Sequence, residues 1–238
     1  MKLELNQENK TNQKNNKLKS LFIVLFLTVF SIFIVGTVIF GITGNFLNKT
    51  AASVLGAQLG ILFLFLSLFS FKIDEIKNLF TPKITIKQIV VIPTVVLGIF
   101  VFNVFLSMAL NALGITNPEG YTSNAMQAKA SGSILASVVL PTLVAPILEE
   151  LAFRAGFKRI LVDKSTWKPY QYVIISSAIF ALLHTQISAF SWSTFLLISF
   201  IAVINSVVYL KTKNILIPIL IHLLYNATVL WIVTVVLA

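Results

Sequence analysis

The chain contains two histidines, His184 and His222, and both fall inside apolar stretches. Adjacent carboxylates, Glu149 and Glu150, close another such stretch, with Arg154 four residues on, and Asn226 follows His222 at the same spacing. An ionisable side chain in a bilayer costs roughly 2.5–3.5 kcal/mol on insertion scales, so these groups are functional suspects. A single imidazole in an apolar helix can be a core group bonded to a backbone carbonyl; two of them beside two carboxylates point to chemistry. Glu150 and Arg154 share a helix face and can pair, whereas Glu149 points about 100° away, free to meet groups from other helices. His222 and Asn226 likewise share a face and offer two donors to a carbonyl oxygen as it becomes negative, while a carboxylate and an imidazole activate water. Phe180, on the face of His184, reads as packing. With no cysteine in the chain, thiolate, disulfide and Cys-ligated metal chemistry are excluded.

The elements that carry these groups are membrane helices by composition. Of 238 residues, 57% are hydrophobic and 11% charged, outside the balance of a soluble domain. Runs long enough to span occur at 21–42, 51–71, 89–113, 133–153, 170–185, 192–210 and 215–237. The first is longer than a signal-peptide core and lacks a small-residue cleavage site, so it reads as a retained helix. The fourth carries Pro141 and Pro146 and the fifth is short, so either can be tilted, broken or buried among neighbours. The expected fold is all-α, a polytopic transmembrane bundle of about seven spans (six to eight) around a buried polar site. Residues 1–20, rich in Lys, Asn and Gln, read as a disordered basic tail preceding the bundle at 21–238. Between the second and third runs, Ile73, Ile76, Leu79 and Phe80 recur at helical spacing and end at Pro82, which predicts a short interfacial helix or a solvated connector.

The net charge of +10 is spread in short runs between apolar segments, a topology signal and not a nucleic-acid stripe. Assigning the 18 Lys and Arg to alternating sides puts 16 with the N-terminal tail and leaves only Lys49 and Lys129 opposite. The positive-inside rule then predicts a cytoplasmic N-terminus, in a multi-pass protein of a cell membrane, with lipid its main surroundings and no nucleic-acid partner.

The charged and polar sets have a known counterpart. Glu149-Glu150-Leu151-Ala152-Phe153-Arg154 resembles the EExxxR motif of the CAAX protease and bacteriocin-processing family, also called Abi. Phe180-Ala181-Leu182-Leu183-His184 resembles its FxxxH motif, and His222-Leu223-Leu224-Tyr225-Asn226 its HxxxN motif. Three motifs in order on predicted membrane helices are specific, and they place a catalytic core at 130–230; the first three helices carry none. The resemblance implies a type II CAAX-like intramembrane endopeptidase acting on a peptide or membrane-anchored protein, in a bacterial setting tied to pheromone maturation or bacteriocin immunity. It makes Glu149 the general base, His184 its partner in activating water, His222 and Asn226 the oxyanion donors, and Glu150 with Arg154 a supporting ion pair.

A second ligand reading accompanies this one, because Glu149, His184 and His222 are also a sufficient set for a catalytic zinc. Against it stand the lack of a His-Glu-x-x-His segment and the need to make Glu150 the base despite Arg154. The competing functions are a non-enzymatic immunity or partner-binding protein and a small proton-coupled carrier in which Glu149, His184 and His222 relay protons. No paired broken helices suggest an inverted repeat. Straight spans separate Glu149 from His184 in depth, so either the fourth helix continues past Arg154 towards Ile160 or the fifth is tilted or partial. The cavity is expected to open on the tail side.

Overall fold

The computed structural model describes residues 2–70, 72–115, 132–185 and 190–236, which are helical apart from short connections. Helix α1 runs from Lys2 to Val29, continues through π-wound turns at Phe30–Val35, and returns to α geometry over Gly36–Thr43. Asn48 then caps α2 (Lys49–Phe69) by accepting the Ala51 N–H at 2.8 Å, and Ser70 ends it in the left-handed region. The short helix α3 (Ile73–Asn78) precedes Pro82, and a capping box of Thr85 and Gln88 opens α4 (Ile86–Ala112). Helix α5 spans Leu135–Asp163, α6 Pro169–His184, α7 Trp192–Thr212, and α8 Leu216–Trp231 with a π-wound continuation over Ile232–Val236.

Among the described residues each of the seven apolar runs is helical, and five of the resulting elements are long and apolar enough to cross a membrane, while α6 and α8 are shorter. Large apolar side chains such as Phe22, Leu97, Val104 and Phe105 point outward, as lipid-facing residues do. Lys129 and the run ends Phe71 and Leu237 lie outside the described residues. The expectation of a disordered tail is corrected: residues 2–20 extend α1. Lys, Gln, Glu and Leu are good helix formers, and growth from an existing helix avoids the cost of nucleation.

Helix α5 is the axis of the bundle and the least regular element. It is π-wound at Leu135–Val144, where Pro141 lacks an N–H to donate, α-helical at Ala145–Glu150 with Pro146 in its first turn, and π-wound again at Leu151–Gly156 and Arg159–Asp163. It continues past Arg154, the first of the two routes foreseen for bringing Glu149 and His184 together. Each now lies about 20 Å along its helix from the α5–α6 turn, so the two reach a common depth.

Packing around α5 comes from α2, α6, α7 and α8. Buried Leu64 and Leu68 of α2, Phe153, Phe157 and Leu161 of α5 and Tyr172 of α6 form one core; Ile92, Val96 and Ile99 of α4, Ile201 of α7 and Ile217 and Ile221 of α8 form another. Helices α1 and α2 approach backbone to backbone: a Cβ on Gly56 would lie 2.6 Å from the Gly36 carbonyl oxygen, and one on Gly60 2.5 Å from that of Ser31. Four segments meet at one end of the bundle. Trp167 in the α5–α6 turn donates to Ser20 Oγ at 3.0 Å, Arg159 pairs with Glu75 of α3 (Nε–Oε2 2.9 Å), and Asn214 in the α7–α8 turn donates to the Pro82 carbonyl at 3.2 Å. This basic end gathers the segments assigned to the tail side.

Candidate active site

Glu150 and Arg154 form the ion pair their spacing predicts, with Nε 2.8 Å from Oε2 and both side chains fully buried. Glu150 Oε1 accepts three further bonds, from Arg154 Nη2 at 3.3 Å, Asn205 Nδ2 of α7 at 3.1 Å and His222 Nδ1 of α8 at 2.9 Å. A carboxylate with this many donors is a fixed anchor, and its job is to hold one tautomer and one orientation of His222. Arg154 Nη1 has no hydrogen-bond partner among the described residues, and the guanidinium carbon sits 4.8 Å from the Phe180 ring centroid, where the aromatic face compensates its charge.

Glu149 faces the other way, as the 100° offset requires. Its Oε2 lies 3.7 Å from His184 Nε2 and 3.9 Å from His222 Nε2, distances too long for direct hydrogen bonds and suited to a small group shared between them. His184 Nδ1 donates to the Phe180 carbonyl at 2.8 Å, which leaves Nε2 of the neutral ring as an acceptor turned to Glu149. Phe180 stacks on His184 at 4.3 Å and meets His222 edge-on at 6.1 Å, so it packs between the two rings and the arginine. Asn226 donates one N–H to the Pro141 carbonyl at 2.9 Å, satisfying an acceptor in the π-wound part of α5, and keeps its second N–H.

Glu149, His184, His222, Asn226 and Phe180 all line one cavity of about 730 Å³. Between it and the basic end, Phe153, Phe157 and Tyr172 are buried in the α2–α5–α6 core and are not among its lining residues. Its walls run to Phe40 at the end of α1, Lys49 and Thr50 at the start of α2, Thr194 at the start of α7 and Leu230 near the end of α8, all at the opposite end. The expected opening on the tail side is therefore corrected: the cavity leads away from the tail, because α5, α6 and their aromatic core close the basic end.

The zinc reading finds no support among the described residues. Glu149, His184 and His222 come together, but among the described residues no set of three such side chains is arranged so that it could hold an ion. Using Glu149 as a ligand also leaves Glu150 as the base, and that carboxylate is fully buried and already engaged by Arg154, Asn205 and His222.

Two parts of the site were not foreseen. Asn205 is uncharged and lies in none of the three motifs; an amide within the apolar run 201–209 is the one sequence signal that marks it. The α2 wall carries no motif at all.

Comparison with known proteins agrees with this geometry. Residues 131–228 match the family model described as type II CAAX prenyl endopeptidase Rce1-like. No curated protein and no solved structure matches the chain. The matched segment holds all three spaced motifs and the helices that join them into one pocket, and so residues 131–228 are an Rce1-like domain of the type II CAAX prenyl endopeptidase family.

Proposed function

We propose that this chain is an intramembrane peptidase that hydrolyses a peptide bond by water activated between Glu149 and His184. The observation that carries the reading is the division of labour between neighbouring carboxylates: Glu150 is engaged by Arg154, Asn205 and His222, whereas buried Glu149 is open to the cavity and faces Nε2 of both rings. A water between the Glu149 carboxylate and His184 Nε2 donates one hydrogen to each acceptor and turns its lone pairs to the cavity. Its oxygen attacks the substrate carbonyl carbon as one proton passes to Glu149. The resulting oxyanion accepts from the second N–H of Asn226, and from His222 Nε2 when that ring carries both protons. As the tetrahedral species collapses, the C–N bond breaks and Glu149 returns its proton to the leaving amine, giving a carboxylic acid and an amine. Arg154, Glu150 and Asn205 take no proton; they hold His222 in place.

Mass spectrometry of membrane peptides from cells carrying the wild type or Glu149→Ala tests activity and finds the substrate together. Loss of the general base is expected to slow cleavage by roughly 10²–10⁴-fold, and His184→Ala similarly, with insertion into the membrane unchanged. Equal processing by both variants rules this mechanism out.

A further inference from the structure

We propose that Gln58 of α2, outside the segment that matches the family, is a substrate-binding residue whose carboxamide pairs with a main-chain N–H and C=O of an extended peptide. The inference rests on the peptidase reading and names the form of substrate it takes. Gln58 is 7% exposed, its Oε1 is buried with no hydrogen-bond partner among the described residues, and it lines the cavity that holds Glu149 and both histidines. A buried carbonyl oxygen without a donor is unfavourable, and an apolar residue of similar shape would serve packing better. Such a group is explained by a partner that arrives and leaves.

Its direction is set by the rest of α2. Gly56 and Gly60 press that helix against α1, where added Cβ atoms would collide with the backbone, so its rotation is locked. Gln58 lies two residues from each, about 200° round the helix, and so faces away from α1. Thr50 and Ser53 continue the same polar wall towards the open end, where Lys49 stands at the rim about 14 Å from Gln58 along the helix. A carboxamide offers one donor and one acceptor direction that match the two polar groups of a peptide unit whatever its side chains. The amides of a helical segment are already paired within the helix, so this wall selects an unwound, extended segment that enters from the end opposite the tail.

The test uses the purified full chain in detergent and a quenched fluorogenic peptide ending in farnesylated Cys-aliphatic-aliphatic-X, beside the same peptide without the farnesyl group. Gln58→Met is expected to raise KM about tenfold and leave kcat within about twofold, with Tm unchanged or higher because an unpartnered buried amide is gone. Gln58→Ala serves if Gln58→Met does not fold. A wild-type KM in the variant, or a lower Tm with unmoved kinetics, overturns the assignment and leaves the peptidase reading standing. A wild-type chain inert to both peptides overturns that reading, and this inference with it.

Discussion

Replacing Arg154 by methionine removes the cation from a fully buried pair and leaves its partner in place. Glu150 then keeps Asn205 and His222 but loses the 2.8 Å contact from Nε and the 3.3 Å contact from Nη2, with no water-exposed surface through which to recover solvation. Breaking a buried pair on one side costs about 3–5 kcal/mol, roughly a 150- to 5,000-fold change in an equilibrium constant. The Phe180 ring adds to this, because it loses the guanidinium 4.8 Å from its centroid. Neutralising both partners, Glu150→Gln with Arg154→Met, removes the stranded charge, so the double variant is expected to recover most of the loss even though neither native group remains. Equilibrium unfolding of the wild type, the two single variants and the double variant in one detergent completes the cycle. An Arg154→Met chain within about 0.5 kcal/mol of wild type, or a double variant as unstable as it, refutes the view that the pair is a sealed electrostatic unit. Activity separates from stability here: the double variant still lacks a carboxylate to orient His222, so it is expected to stay impaired in peptide cleavage.

Asn205→Leu takes one donor from Glu150 and is expected to destabilise by about 1–3 kcal/mol in the same unfolding assay, with cleavage reduced less than in Glu149→Ala because no reacting group is touched. Gly60→Ala drives a Cβ to 2.5 Å from the Ser31 carbonyl oxygen, which forces α1 and α2 apart; a loss of about 1–3 kcal/mol is expected, and an unchanged Tm is the contrary result. At the basic end, partial desolvation pushes the Glu75 carboxyl up, but the hydrogen bond and charge of Arg159 outweigh it and hold the group below the usual carboxylate range. A lowered folded value means that this contact stabilises the docking of α3 above the ordinary carboxylate value near roughly 4.3 and loses that contribution as pH falls through the lowered one. Hydrogen exchange over Ile73–Asn78, corrected for intrinsic rates, should show protection fading on acidification in the wild type and a flat profile in Glu75→Gln.

What the sequence determined by itself was local. Side chains four apart on one helix share a face whatever surrounds them, so the Glu150–Arg154 pair, the opposite heading of Glu149 and the stacking of Phe180 on His184 were all readable from spacing. The apolar runs marked the helices for the same reason, since a bilayer leaves the backbone no other way to satisfy its polar groups. Tertiary structure decided which faces meet. Whether Glu149 reaches His184 depended on how far α5 runs beyond Arg154 and on π winding that accommodates Pro141, neither of which a hydrophobic run reports. The HxxxN pair is divided in the fold: His222 is tied back to Glu150, and Asn226 is held by the Pro141 carbonyl, because each finds its partner on α5 and not on its own helix. Asn205, the Gln58 wall and the closed basic end have the same origin. They come from contacts between helices far apart in the chain, fixed by glycine approach and aromatic packing at a shared depth, and no spacing along one helix encodes them.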